Sequence, residues 1–349
     1  MSRLDDALEI VQIDSVSGRE SALAEFVERR LRENPLLDVE RIGDNVVART
    51  TGHHATRLMV AGHLDTVPGD PGAAAIVGDE LRGVGACDMK GSIAVMLELA
   101  TEPVARSTEV SWLFYAREEI ARNESGLLEV AELRPELLTA DVAVLCEPTG
   151  GAVEAGCQGA MRVGVELHGV RAHTARPYTG VNAIHRLASL VDHVAHYEPR
   201  AVDIDGVTFV EQLQTVSVQG GVAPNVVPDL ASCVLNYRVA PDRSEQQALA
   251  WLTKYLGDFV AADDSVRVID WAPSAAPALS NARLAHLVTL TNSAPRAKLG
   301  WTDVATFAQM GIPAANFGAG DPLFAHRSDE RVTRDELDEF AHVLRTWLA

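Results

Sequence analysis

The chain has 349 residues, with 30 Lys and Arg against 49 Asp and Glu, for a formal net charge of -19. That length predicts about two domains with room for real cores, and the charge repels phosphate backbones and anionic bilayers, so neither nucleic acid nor a membrane is expected as a partner. Hydrophobic residues make up 47% of the chain, which excludes the disordered class; no apolar run reaches the ~20 residues that span a bilayer, and Cys87, Cys146, Cys157 and Cys233 form neither a CxxC pair nor a dense disulfide framework, so a cytoplasmic location is expected.

In chain order, Ser17-Gly18-Arg19-Glu20 has capping-box spacing and precedes apolar Ala22, Leu23, Phe26, Val27 and Leu31, so a helix is predicted to open the fold. Short apolar runs come next at 58–61, 110–115 and 142–145, with helical segments at 92–100 and 126–133. That alternation predicts an α/β domain with a mostly parallel, buried sheet. From about Gly159 the texture changes: 161–170 alternates apolar and polar residues, a helix is predicted over 181–197, strands over 207–218 and 226–239, and a helix over 244–259. This is the pattern of a small α+β domain with one solvated sheet face. The Pro-, Ala- and Ser-rich stretch 271–280 reads as a return linker, after which helix and strand alternate again at 282–291, 303–310, 313–317 and from Asp335. The predicted organisation is a discontinuous α/β domain, 1–159 plus 276–349, interrupted by an inserted α+β domain, 160–275.

The polar residues directly after each apolar run carry the chemistry. The runs lead into His63-Leu-Asp65, Glu118-Glu119, Glu147, and through Gly318-Ala-Gly320 to His326, while Asp88 lies between a glycine-rich turn and the helix near Ser92. Ligands of open parallel sheets bind outside the carboxyl ends of the strands, so these groups are expected on one rim. Imidazole and carboxylate without thiolate suit zinc, cobalt or manganese, and one aspartate can bridge two such ions. Each ion would take one His, one terminal carboxylate and the bridging Asp. Asp65 is expected to accept the other ring N–H of His63. One of Glu118 and Glu119 would bind metal and the other carry the proton.

Singly, each signal has a plainer explanation. A His-x-Asp at a strand end is usually a polar loop, and a Glu pair a solvated face. Cys87 and Cys146 fit buried small side chains better than ligands. Of the remaining histidines, His53 and His54 suit a turn, His168 a strand face, and His185, His193, His196, His286 and His342 helices. Five potential ligands at the ends of separate elements are what raise the set above these readings.

The motifs Gly62-His63-Leu-Asp65-Thr-Val67, Gly85-Ala-Cys-Asp88-Met-Lys90, Glu118-Glu119 and Glu147-Pro-Thr149 resemble, in order and spacing, those of the M20 family of co-catalytic metallopeptidases and amidohydrolases. More narrowly, Glu147-Pro-Thr-Gly-Gly151, Glu154-Ala-Gly-Cys-Gln-Gly159, Gly169-Val-Arg-Ala-His173-Thr-Ala-Arg176, Asn225-Val-Val-Pro-Asp229, Gly300-Trp-Thr-Asp303 and Asn316-Phe-Gly-Ala-Gly-Asp321 are similar to the succinyl-diaminopimelate desuccinylase branch of that family, over essentially the whole chain. The resemblance implies a zinc-hydrolase domain with an inserted dimerisation (lid) domain, and two Zn2+ per subunit, with Co2+ or Mn2+ as possible substitutes. One ion would be held by His63 and Glu147 and the other by Glu119 and His326, with Asp88 bridging, Glu118 as general base and Asp65 behind His63. It further implies a homodimer, a His173 that stabilises the oxyanion in the partner's site, and Asn225 as a second polar contact. The implied reaction is hydrolysis of N-succinyl-LL-2,6-diaminopimelate in lysine and diaminopimelate synthesis. Acetylornithine deacetylation or another N-acyl-amino-acid hydrolysis, and a non-catalytic binding protein on the same fold, are the alternatives. Cys87 departs from the small residue common there, and an exposed thiol would make the site oxidant-sensitive.

An anionic substrate and a chain of charge -19 require a local cationic pocket. Arg162, Arg171, Arg176 and Arg238 lie beside motif residues of the inserted domain. Guanidinium groups grip carboxylates in bidentate fashion, and Arg238, followed by Arg162 and Arg176, is the expected substrate contact.

Overall fold

The computed structural model describes residues 2–52, 54–102 and 107–349; His53 lies outside them. The chain divides into two compact units, one formed by Met1–Gly156, Pro277–Ala297 and Thr302–Ala349, the other by Cys157–Ala276 and Lys298–Trp301. No helix among the described residues is long and apolar enough to cross a membrane.

The first unit is built on an eight-stranded sheet ordered Leu37–Ile42, Asn45–Thr50, Glu109–Tyr115, Arg57–His63, Val142–Leu145, Ala314–Asn316, Glu154–Ala155, Arg296–Ala297. Its centre is parallel, from Glu109–Tyr115 through Arg57–His63 and Val142–Leu145 to Ala314–Asn316, with antiparallel pairings on both sides. These central strands are apolar at nearly every position because both faces are covered. Leu58, Val60, Val110, Trp112, Val142 and Val144 share one core with Leu4, Val27, Val95, Leu99, Leu287, Phe340 and Trp347 from the helices Arg3–Val11, Ser21–Leu31, Gly91–Thr101, Ala282–Leu290 and Arg334–Leu348.

In the second unit a four-stranded antiparallel sheet runs Gln212–Gly220, Leu230–Val239, Gly159–His168, Ser265–Ala272. Met161, Val163, Val165 and Leu167 alternate with less buried positions and meet the helices Ala183–Ala195 and Glu245–Leu256 on the buried face.

Several elements differ from the sequence expectation. Arg3–Val11, closed by a reciprocal Ser2–Asp5 capping box, opens the fold, and Ser21–Leu31 comes second. Ser17 and Glu20 form no capping box: the Ser17 hydroxyl donates to Asp65 at 2.7 Å, and Glu20 accepts the Gly18 N–H at 2.9 Å. The predicted linker begins within a strand, Ser265–Ala272, whose weak apolar pattern reflects its place at a sheet edge. The predicted strand 207–218 breaks at Glu211 into Val207–Val210 and Gln212–Gly220. A three-stranded sheet of Ala75–Val77, Glu80–Arg82 and Arg331–Thr333 has strands too short for any period to be read.

Candidate metal centre

Parallel register brings the strand ends level. His63 lies opposite Tyr115, Ala61 opposite Leu145, and Leu145 opposite Asn316, so the segments carrying Asp65, Glu118 and Glu119, Glu147, and His326 leave from one edge. Asp88 sits in the irregular turn Ala86–Lys90, between left-handed Gly85, φ 83°, and the helix Gly91–Thr101. Gly318 permits a close approach of two loops: a Cβ there would stand 2.1 Å from the Cys146 carbonyl oxygen. Thr149, two residues beyond Glu147, donates its hydroxyl to the Gly318 carbonyl at 3.2 Å.

The Asp88 carboxylate lies between two imidazoles, with Oδ1 3.2 Å from His63 Nε2 and Oδ2 3.4 Å from His326 Nε2. Glu147 Oε1 is 3.9 Å from His63 Nε2, and Glu119 Oε1 is 2.8 Å from His326 Nε2. By distance the five groups fall into two candidate half-sites on either side of Asp88, His63 near Glu147 and His326 near Glu119. Candidate ligand atoms of His63, Asp88 and Glu119 all lie within 4.8 Å of one another. Among the described residues no Lys or Arg forms an ion pair with Asp65, Asp88 or Glu119. Carboxylates gathered without a Lys or Arg partner at Asp65, Asp88 and Glu119, beside imidazoles that offer nitrogen donors, fit a divalent cation.

The backbone is braced behind these groups. Asp65 is fully buried, and its carboxylate accepts the Glu118 N–H and the Glu119 N–H, each at 3.0 Å, besides the Ser17 hydroxyl. Asp65 faces the His63 ring with two oxygens, its backbone carbonyl 3.0 Å and its carboxylate Oδ1 3.5 Å from Nδ1. Buried Glu20 accepts the Arg117 N–H at 3.1 Å. Arg117 and His326 hold positive φ, 61° and 62°, a conformation costly for non-glycine residues and retained where surrounding structure enforces it.

Charges respond to this crowding. Burial raises the Asp88 carboxyl, but hydrogen bonds from His326 and His63 outweigh it and hold the group well below the ordinary carboxylate range. Burial likewise works against Asp65, yet His63, Ser17 and the Glu118 N–H bring it down to about 2. Asp88 and Glu119 push His326 up to about 10. Glu118 moves well above the usual carboxylate range, through burial and then the proximity of Glu147. Cys87 is buried and its thiol is pushed far up by burial and by Glu330, so the anticipated oxidant sensitivity has no exposed, ionisable thiol to act through.

The substrate-side candidates lie in the second unit. His173 is exposed, in the two-residue strand Ala172–His173 paired with Val226–Val227. Thr174 N–H donates to the Asn225 carbonyl at 3.1 Å, which brings His173 and Asn225 side by side. Arg162 pairs with Asp270 at 3.1 Å and Arg171 with Asp229 at 2.8 Å, both exposed. Arg176 and half-buried Arg238 have no ion-pair partner among the described residues. Residues that sequence reasoning missed are the bracing groups Ser17, Glu20 and Glu330. Their role depends on burial against segments distant in the chain, for which the sequence carries no local signal.

The Peptidase family M20/M25/M40 profile matches residues 59–349. The chain is 43% identical, over 97% of its own length and 96% of the other, to a Mycobacterium tuberculosis protein provisionally named succinyl-diaminopimelate desuccinylase. It is 42% identical, over 97% and 94%, to the succinyl-diaminopimelate desuccinylase of Corynebacterium glutamicum. Among solved structures it shares its fold with a Staphylococcus aureus tripeptidase, TM-score 0.81 at 21% identity, covering 99% of this chain and 96% of that one. A dinuclear metal-binding M20 peptidase of Bacillus subtilis superposes with TM-score 0.74 at 15% identity, over 99% and 96%.

Proposed function

Because the chain belongs to peptidase family M20/M25/M40, we propose that it hydrolyses N-succinyl-LL-2,6-diaminopimelate to succinate and LL-2,6-diaminopimelate, using two Zn2+ ions per chain. The observation that carries this reading is the Asp88 carboxylate directed at two imidazoles, one oxygen to each, in a chain with desuccinylase relatives along nearly its whole length. His63 and Glu147 would hold one ion, His326 and Glu119 the other, and Asp88 both. Divalent cations there would supply Lewis-acid chemistry, polarising an amide carbonyl and easing the ionisation of water.

Glu118 is the general base in this reading. Its raised proton affinity suits a group that takes a proton from the attacking water and passes it to the departing amine. Asp65 holds the Glu118 and Glu119 backbone through two N–H bonds, so base and ligand keep a fixed spacing. His173 Nδ1 accepts the Ala175 N–H at 3.0 Å, which leaves the ring proton on Nε2 as a donor to the oxyanion of the tetrahedral intermediate in the active site of a second copy of the chain. Asn225, beside it, adds a second polar contact.

The substrate's three carboxylates call for guanidinium groups. Arg238 and Arg176 remain available, whereas the Arg162 guanidinium is engaged by Asp270; this favours Arg238 and Arg176 as substrate contacts and ranks Arg162 below them. A homodimer is supported by the edge strand Gln212–Gly220, which exposes Val216 and Val218 at 56% each, the kind of open edge a second copy can cover. In this reading the product, LL-2,6-diaminopimelate, would feed lysine and diaminopimelate synthesis.

The test is kcat/KM for N-succinyl-LL-2,6-diaminopimelate beside N-acetylornithine on zinc-reconstituted and metal-stripped protein. The reading requires a large succinyl preference that disappears on stripping. Comparable rates would move the substrate to the N-acyl-amino-acid class, and absence of turnover by loaded protein would favour a binding protein on this fold.

A further inference from the structure

One buried carboxylate near the centre belongs to neither half-site. Glu330 is 1% exposed, and its Oε1 accepts the N–H of Cys87 at 3.1 Å and the N–H of Asp88 at 3.0 Å. Its own backbone is held on both sides: the carbonyl accepts the Gly83 N–H at 3.0 Å, and its N–H donates to the Arg327 carbonyl at 3.2 Å. The next residue begins the strand Arg331–Thr333, in register with Glu80–Arg82, Arg331 opposite Arg82. The three-stranded sheet thus delivers the Glu330 side chain to the Asp88 turn from the segment that also carries His326.

We propose that Glu330 is a positioning residue for the metal centre: by accepting both N–H groups it fixes the backbone from which Asp88 reaches His63 and His326, and it ties the Asp88 turn to the His326 segment. This inference rests on the reading of Asp88 and His326 as metal ligands. A bridging carboxylate must present its two oxygens to separate ions, so a small rotation of its backbone spoils both half-sites together. Two N–H bonds into one carboxylate oxygen restrict that rotation, whereas a single bond would leave a hinge.

Reach and charge can be separated by substitution. Glu330→Gln keeps an oxygen at the same distance and removes the charge; Glu330→Asp keeps the charge and shortens the side chain by one methylene. The measurement is Zn2+ affinity by competition with a chromophoric chelator, alongside kcat and KM for the succinyl substrate and melting of the metal-free protein. The expected result is that E330D binds Zn2+ about 10–100-fold more weakly, the range typical of lost outer-shell support, with kcat falling and KM little changed. E330Q should stay within about threefold of wild type, because an amide oxygen accepts the same two N–H bonds. Wild-type affinity in E330D, or an E330Q defect as large as that of E330D, would overturn the proposal. If E330D does not fold, a tenfold or greater loss of affinity in folded E330Q overturns it alone. Wild-type protein that takes up no Zn2+ would overturn the metal reading itself, and this inference with it.

Discussion

Asp65, just past the end of the strand Arg57–His63, and His173, within the two-residue strand Ala172–His173, are held in opposite ways. Asp65 is fully buried and accepts three hydrogen bonds, two from backbone N–H groups. His173 is exposed, and its ring accepts a single N–H two residues along the chain. The contrast extends to their neighbours: Glu20 and Glu330 brace backbone next to the metal-side groups, while Arg176 stands exposed and has no ion-pair partner among the described residues. The backbone beside the metal-side groups, which must keep its spacing whether or not substrate is present, is braced by buried carboxylates, while the His326 ring itself is half exposed. Groups that meet substrate keep their polar atoms available, and draw their energy from what they bind.

The largest effect is expected on the buried side. Glu118→Gln should lower kcat by about 10²–10⁴-fold, the contribution typical of a general base, while Zn2+ uptake stays at the wild-type stoichiometry; steady-state kinetics and metal analysis on one preparation check both. On the exposed side, His173→Ala should lower kcat by roughly 10²–10³-fold, as for loss of an oxyanion donor, and leave the melting temperature little changed because the ring is exposed. A fall in stability as large as that of a core substitution would erase the contrast.

Smaller effects sharpen it. Arg238→Ala should raise KM for the succinyl substrate about tenfold or more, as expected when a charge-assisted hydrogen bond is lost. Arg162→Ala, whose guanidinium pairs with exposed Asp270, should change KM by less than about twofold. Equal effects would refute the distinction between engaged and available arginines. The smallest signal is in protons. His326 is raised to about 10 by Asp88 and Glu119 in the metal-free chain, so at pH 7 it is protonated and loading must expel that proton. Calorimetry in buffers of differing ionisation enthalpy should record at least one proton released per chain. Because the folded value lies above the ordinary 6.5, the stabilisation it gives the metal-free protein is fully present below about 6.5 and is lost as pH rises through about 10. Metal-free melting should therefore decline between pH 7 and 10.

The central sheet was legible because strands buried on both faces read as unbroken apolar runs, and polar groups directly after such runs mark the rim where ligands bind. Leu58, Val60, Val110 and Val144 carry that signal, and the alternation from Met161 to Leu167 distinguishes the half-solvated sheet of the second unit. The strand Ser265–Ala272 was read partly as linker because an edge strand with one neighbour need not alternate. Ser17 illustrates a local rule overridden by tertiary contact: the Ser-x-x-Glu spacing is there, but the hydroxyl goes to Asp65, 48 residues on. Glu20 and Glu330 look like surface glutamates in sequence, and only the folded chain shows them buried against N–H groups that need an acceptor.

The most direct test of the shared bridge is a metal titration combined with hydrolysis of the succinyl substrate on the same samples, with Zn2+ per chain measured by elemental analysis. The account predicts two ions per wild-type chain at full activity, and joint loss of both ions and of turnover in Asp88→Ala. Full activity with one ion per chain, or an Asp88→Ala protein that still binds two, would contradict it.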